Sequence, residues 1–306
     1  LGPFSSFQPL ENASVLKFPA GVRTLLLDVG MHVVTEFESR ITRDPQAFVI
    51  GFEPCPHSFA AASAHIARLP IAVKERFLLL PVALGLPPET IRAGMAEPES
   101  PSEQAAVGQA GRDGWVAAFH VAGDPATGES WYEGACSSLL PPVTRWFSAE
   151  DVKETGENFW PLHLRRTCTS VARVVDVLVL QLSSILERIP PEVSVEMLKI
   201  DAQGGDLPVV LSGGSLVPER VERLQLEVQD SEEAMLMYQG QPSRSEVVAH
   251  LQAIGFEQEG DCKTVTPPPL NELDCQFRNT RLLAQARQGK RASRTDTVYQ
   301  WSEESW

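Results

Sequence analysis

Met197-Leu198-Lys199-Ile200-Asp201-Ala202-Gln203-Gly204-Gly205-Asp206 is the stretch from which the rest of the chain is read. Val195, Met197, Leu198 and Ile200 give it the apolar, partly β-branched character of a short buried strand. Asp201 then places a carboxylate at the strand's carboxyl end, and Gly204 and Gly205 allow a sharp turn or a close backbone approach. Pro208 suits the first turn of a helix over 207–211. In an open α/β sheet, ligands bind in the crevice outside the carboxyl ends of the strands, so this acid, amide and glycine pair stand where chemistry is done. The same residues also suit a plain capped turn, with Asp201 and Asp206 bonding the following backbone.

Working outward, the first half repeats the theme. Residues 23–28 read as a buried strand ending in Asp28, followed by Val29-Gly30. A helix is expected over 35–43, with Phe37 and Ile41 on one face and Asp44-Pro45 as its stop. The next strand, 47–52, ends in Glu53-Pro54; a second helix covers 56–69, and a third strand covers 76–82. Strand, helix, strand, helix and strand in this order argue for right-handed crossovers onto a parallel sheet.

From Pro87 to Ala135 the periodicity weakens, and the segment reads as an insertion with a hairpin between 115–121 and 130–132. Further on, 165–175 reads as a strand and 176–189 as a helix, with Val177, Leu180, Ser184 and Ile185 at helical spacing. Residues 221–228 alternate as a half-buried strand. A helix over 243–254 has Ser243 as its N-cap, Glu246 completing a capping box and Gly255 as its stop. Short strands near 262–266 and 274–278 complete the sheet. The domain organisation read from this is an extension over 1–21, one catalytic-type domain over 22–285 with inserted loops at 86–164, and a polar tail over 286–306.

Composition narrows the partners. The chain has 306 residues, 43% hydrophobic and 22% charged, enough for one large α/β domain. Its formal charge of -14 makes nucleic-acid backbones and anionic membranes poor partners, and no apolar run approaches the length of a membrane span. The five cysteines form neither a CxxC pair nor a zinc spacing, which suggests a reducing, cytoplasmic setting. Cys262 and Cys275 can face each other across a terminal hairpin, which keeps a secretory setting open. The chain begins at Leu1, so the lack of a leader decides nothing. Oligomeric state is not readable.

The chemistry gathers at strand ends. An acid before a glycine at Asp28–Gly30, with Glu53 at the end of the next strand, suits a ligand with ribose hydroxyls and a positive amino-acid portion. No GxGxxG is present, which counts against a nicotinamide-dependent oxidoreductase. No His, Cys and Asp cluster has metal-ligand spacing, and no metal is expected, with a divalent ion between Asp201 and Glu227 as the open alternative. Glu227 is a second candidate base at the end of its strand; its other reading is a solvent-facing residue of an alternating strand.

On these residues the sequence resembles the FkbM-type S-adenosylmethionine-dependent methyltransferases. The resemblance rests on Leu27–Gly30, Phe52–Pro54, Ala83–Gly85, Cys136–Leu139 and Leu198–Asp206, and continues through Leu226–Val228, Tyr238–Gln241 and Gly255-Phe256. It implies a class I methyltransferase, Rossmann-like fold: a seven-stranded, mostly parallel sheet with its final strand antiparallel, helices on both faces and an insertion after the third strand. It also implies O-methylation of a hydroxyl on a small molecule or carbohydrate. By position, Asp28 and Gly30 would face the methionine end of S-adenosylmethionine, Glu53 the ribose, and Val82 and Ala83 the adenine. Asp201 and Gln203 would stand where donor and acceptor meet, with Asp201 also touching the cofactor.

One position departs from the family pattern. The first loop reads Asp28-Val29-Gly30-Met31-His32-Val33-Val34, with Val34 where a second glycine is usual. A degenerate, non-catalytic binding protein on the same fold is therefore the competing reading. The aromatics Trp131, Tyr132, Trp146, Phe147, Phe159 and Trp160 cluster in the insertion, where they suit either a lid or a small core of its own.

Overall fold

A computed structural model describes residues 15–87, 114–124, 126–128, 134–143, 168, 170–230, 236–266 and 271–285. Its centre is β1, Thr24–Val29, six buried residues that hydrogen-bond on both sides. β1 runs parallel to β2 (Ala47–Phe52) and to β7 (Ser194–Ile200). β3 (Phe77–Leu80) extends the sheet beyond β2, and β8 (Val221–Gln229) extends it beyond β7, both in parallel. β11 (Glu272–Asn279) then lies antiparallel to β8. The short strands β9 (Phe256–Gln258) and β10 (Lys263–Thr264) both pair with β11.

The sheet is thus eight-stranded and mixed, in the order β3-β2-β1-β7-β8-β11 with β9 and β10 outermost, where seven mostly parallel strands were expected. The strand not expected is β9, three residues directly after the helix stop at Gly255 and too short for a period to show, whereas β10 falls within the strand expected near 262–266.

Alternation along β1 and β2 explains why both faces are covered. Leu25, Leu27 and Val29, with Phe48, Ile50 and Phe52, join the larger core. On that side lie α4 (Leu182–Leu186), α5 (Asp206–Ser212), α6 (Leu216–Arg220) and α7 (Arg244–Ala253), through Ile185, Val209, Val217 and Leu251. Leu26, Ala47, Val49 and Met197 face the other way, onto Phe37, Ile41 of α1 (Glu38–Arg43) and Val73 of α3 (Ile71–Lys74). α2 (Pro56–Arg68) begins with proline at its first turn, and α7 carries the Ser243–Glu246 capping box read from the sequence. α8 (Thr280–Gln285) closes the described chain.

Two expectations fail for physical reasons. The run 76–82 is divided at Pro81, which has no N–H to donate: β3 stays in the main sheet, while β4 (Val82–Leu84) joins a second, three-stranded sheet. There β4 lies parallel to β6 (Val171–Leu180), which also pairs antiparallel with β5 (Trp115–Ala122). The region expected as a helix over 176–189 is therefore strand as far as Leu180, and helix only over Leu182–Leu186. Val171, Val174, Val175, Val177 and Val179 favour a pleated surface, and that preference outweighs the apolar spacing that also fitted a helix.

The hairpin partner expected for β5, residues 130–132, lies outside the described residues, as do the six aromatics Trp131, Tyr132, Trp146, Phe147, Phe159 and Trp160. Among the described residues no helix is long and apolar enough to cross a membrane. Four cysteines pair, Cys136 with Cys168 and Cys262 with Cys275, while Cys55 is buried and free. The second pair spans the terminal strands as the sequence allowed. Two disulfides suit an oxidising setting better than the reducing one suggested by cysteine spacing.

Candidate active site

The carboxyl ends of β1, β2 and β7 open onto a cavity of about 600 Å³, walled on the other side by β4, β5 and residues 134–141. That volume is in the range that holds a cofactor-sized ligand.

Gly30 makes the junction. It has φ +71°, and a Cβ there would stand 1.9 Å from the carbonyl oxygen of Asp201. The end of β1 and the end of β7 can therefore touch only because this residue is glycine. Asp201 N donates to Val29 O at 2.9 Å, locking the two strand ends together. The acid-glycine turn and the Asp201 stretch, 171 residues apart for Asp28 and Lys199, form one surface.

Glu53 leaves β2 into the cavity wall. Its Oε1 accepts from Cys55 N at 2.8 Å and its Oε2 from His32 N at 2.7 Å. His32 takes a left-handed backbone, φ 57°, to present that N–H, and its side also lines the cavity. Val82 and Ala83 line the cavity as well. Val34 does not: it is 49% exposed and points its branched side chain to solvent, so the departure from the family glycine leaves the pocket open. Asp28 is fully buried, outside the cavity lining, and faces Lys199 Nζ at 3.5 Å.

On the other side, Asp201 and Gln203 both line the cavity. Gln203 sits at φ 51°, a strained position for a side-chain-bearing residue, and is held at both polar atoms of its side chain and at its main-chain oxygen. Its Nε2 donates to Asp201 Oδ1 at 2.7 Å and to Glu227 Oε1 at 3.3 Å. Its Oε1 accepts from the Tyr238 hydroxyl at 3.0 Å, and its main-chain oxygen from Ser138 Oγ at 2.8 Å. Two carboxylates on one side and a phenol on the other fix which way the amide points. Glu227 is thus drawn inward onto this network rather than facing solvent.

Asp201 Oδ2 lies 3.6 Å from Lys199 Nζ, so the Asp201 carboxylate is held through both oxygens. Sequence reasoning gave Lys199, Tyr238 and Ser138 no role. A charge in the apolar run of β7 was the available signal for Lys199; for Tyr238 and Ser138 it was their place in the stretches that carry the family resemblance. Among the described residues, no group of three or more His, Cys, Asp or Glu is arranged to hold a metal.

Acids crowd this end of the sheet, and burial raises them. The Glu53 carboxyl is pushed up to about 8, burial outweighing its two backbone N–H bonds, with Asp201 and Asp28 adding repulsion. Burial likewise carries Glu272 to about 7 and Asp274 to about 6. Asp206 and Glu227 are also raised well above their ordinary values, burial first and Asp201 next.

These carboxyls titrate higher in the folded chain than in the unfolded one, where the ordinary value is about 4. Their stabilising contribution is complete below that value and is lost as pH rises through about 6, 7 and 8 in turn. The unliganded chain is accordingly expected to melt at a lower temperature at about pH 8.5 than at about pH 5.5, with Glu53 responsible for on the order of 3 kcal/mol. Calorimetric unfolding across that range checks it, and a melting temperature that climbs with pH contradicts it.

Sheet order and site together define an α/β protein that carries its ligand cavity outside the carboxyl ends of a sheet with a parallel centre. A family model described as the methyltransferase FkbM domain matches residues 28–257, well over half of the chain, and the chain belongs to that family. No curated protein matches it. Among solved structures, the glycopeptide N-methyltransferase MtfA complexed with sinefungin aligns over 84% of this chain and 81% of its own, at 9% identity and a TM-score of 0.30. The same enzyme complexed with S-adenosyl-L-methionine aligns over 85% and 88%, at 12% identity and a TM-score of 0.23. These likenesses are too distant to bear on the site.

Proposed function

We propose that the chain is an S-adenosylmethionine-dependent methyltransferase that methylates a hydroxyl of a small molecule or carbohydrate. The observation that carries this reading is the meeting of Gly30, Glu53 and Asp201 around one cavity of about 600 Å³. Family membership supports methyl transfer, and the residues present fit the cofactor: Gly30 lines the cavity with backbone alone, and Glu53 lines it with carboxyl oxygens that can accept from ribose hydroxyls. Val82 and Ala83 give an apolar wall for the adenine. Asp28, buried behind the loop, supports the turn through Lys199 rather than touching the ligand.

When bound, S-adenosylmethionine supplies an electrophilic methyl group on a sulfonium. The chain's part is to align the acceptor oxygen with it and to exclude water, since positioning is the larger share of catalysis in an in-line displacement. Asp201 takes the proton that the acceptor hydroxyl gives up. Gln203 and Lys199 keep the Asp201 carboxylate pointed at the cavity while it does so. Val34, turned to solvent, gives no support to the degenerate binding-protein reading.

Thermal-shift measurements separate the classes. S-adenosylhomocysteine is expected to raise the melting temperature by several degrees, with NAD(H) giving no shift. Tritium transfer from methyl-labelled S-adenosylmethionine to a panel of sugars, phenols and polyketide alcohols then tests the hydroxyl acceptor. Stabilisation by NAD(H) alone contradicts the proposal.

A further inference from the structure

Lys199 lies near the carboxyl end of the buried parallel strand β7, and its side chain is 8% exposed. The register puts it beside Asp28 on β1 and beside Gln225 on β8, which in turn pairs with Gln276 on β11. A polar row therefore crosses four strands on the sheet face opposite the larger core.

Lys199 Nζ stands 3.5 Å from Asp28 Oδ1, 3.7 Å from Glu36 Oε1 and 3.6 Å from Asp201 Oδ2. Glu36 is held from its other oxygen by Gln225 Nε2 at 3.2 Å. Asp28 Oδ2 is buried without a hydrogen-bond partner, so its negative charge is answered chiefly by Lys199. Three carboxylates share one ammonium, and of these four groups Asp201 alone lines the cavity.

We propose that Lys199 is a positioning residue whose buried ammonium, set against these three carboxylates, tunes the negative field at Asp201 and thereby the site's preference for a sulfonium over a neutral thioether. The proposal rests on the S-adenosylmethionine reading of the site. Charges held among core side chains are weakly screened, so an excess of two carboxylates reaches the cavity through Asp201. A sulfonium completes the balance. Once the methyl group has left, the sulfur is neutral and that attraction is gone, which favours exchange of S-adenosylhomocysteine for fresh donor. Without Lys199 the three carboxylates repel one another and the Asp201 carboxylate loses the contact that aims it.

The test is the ratio of affinities for S-adenosylmethionine and S-adenosylhomocysteine, measured by calorimetry on the whole chain. Glu36→Gln removes one negative charge and is expected to lower the preference for S-adenosylmethionine about fivefold, with S-adenosylhomocysteine affinity nearly unchanged. Lys199→Met is expected to raise the preference by a similar factor, and Lys199→Arg to keep it. A merely structural role moves both affinities together in every variant, and that result overturns the proposal. If Lys199→Met does not fold, Glu36→Gln decides alone, an unchanged ratio being the overturning result. A wild-type chain that binds neither ligand removes the functional reading itself, which is a distinct outcome from a constant ratio.

Discussion

Gly30→Ala is expected to destabilise the chain by about 3 kcal/mol or more, enough to consume a large part of a domain's usual margin. Two costs add. The backbone at φ +71° is strained for any residue with a Cβ, and the new atom would sit 1.9 Å from the Asp201 carbonyl oxygen. That oxygen cannot step aside cheaply, because Asp201 N is itself bonded to Val29 O at 2.9 Å. The strand ends must part, and the cavity floor parts with them. Urea unfolding of the variant measures the loss, and a midpoint equal to that of the wild type contradicts the junction described here.

Glu53→Gln is the second large effect, and it falls on the ligand. The two Glu53 oxygens each accept a backbone N–H, from Cys55 and His32. A glutamine has one oxygen, so its amino group is turned against one of those donors, at a cost of about 1–3 kcal/mol for the unpaired group. The ribose also loses its carboxylate partner. S-adenosylmethionine affinity is expected to fall roughly tenfold to a hundredfold.

The wild type should in addition bind more tightly as pH rises towards about 8, because a cationic ligand favours the ionised Glu53 carboxyl. Glu53→Gln should flatten that dependence. Calorimetric titrations of both proteins at about pH 6 and pH 8 decide it; a variant that keeps both the affinity and the pH slope contradicts the assignment.

Much of the site was legible because strand ends announce themselves. An apolar run that stops at Asp201 and turns through Gly204-Gly205 has few readings, and Asp28 before Gly30 and Glu53 after β2 repeat the sign. What the sequence could not convey is which strand ends touch. That Gly30 exists for the Asp201 carbonyl depends on β1 and β7 being neighbours, a fact of topology.

Tyr238 stood in a stretch that carries the family resemblance, but its contact was out of reach for the same reason, its hydroxyl arriving at Gln203 from a different part of the chain. Val34 was misjudged in the other direction. Its β-branched side chain threatens a ligand only if it points inward, and the loop turns it out. The strand β6 was taken partly for a helix because Val177, Leu180, Ser184 and Ile185 fit a helical stripe while their neighbours fit a pleat. A short strand such as β9 carries too few residues for any period to show.

Calorimetric titration of the wild-type chain with S-adenosylmethionine tests the central claim most directly. One molecule per chain is expected to bind in the micromolar range, and S-adenosylhomocysteine should displace it. No heat and no displacement at millimolar S-adenosylmethionine would contradict the account at its root.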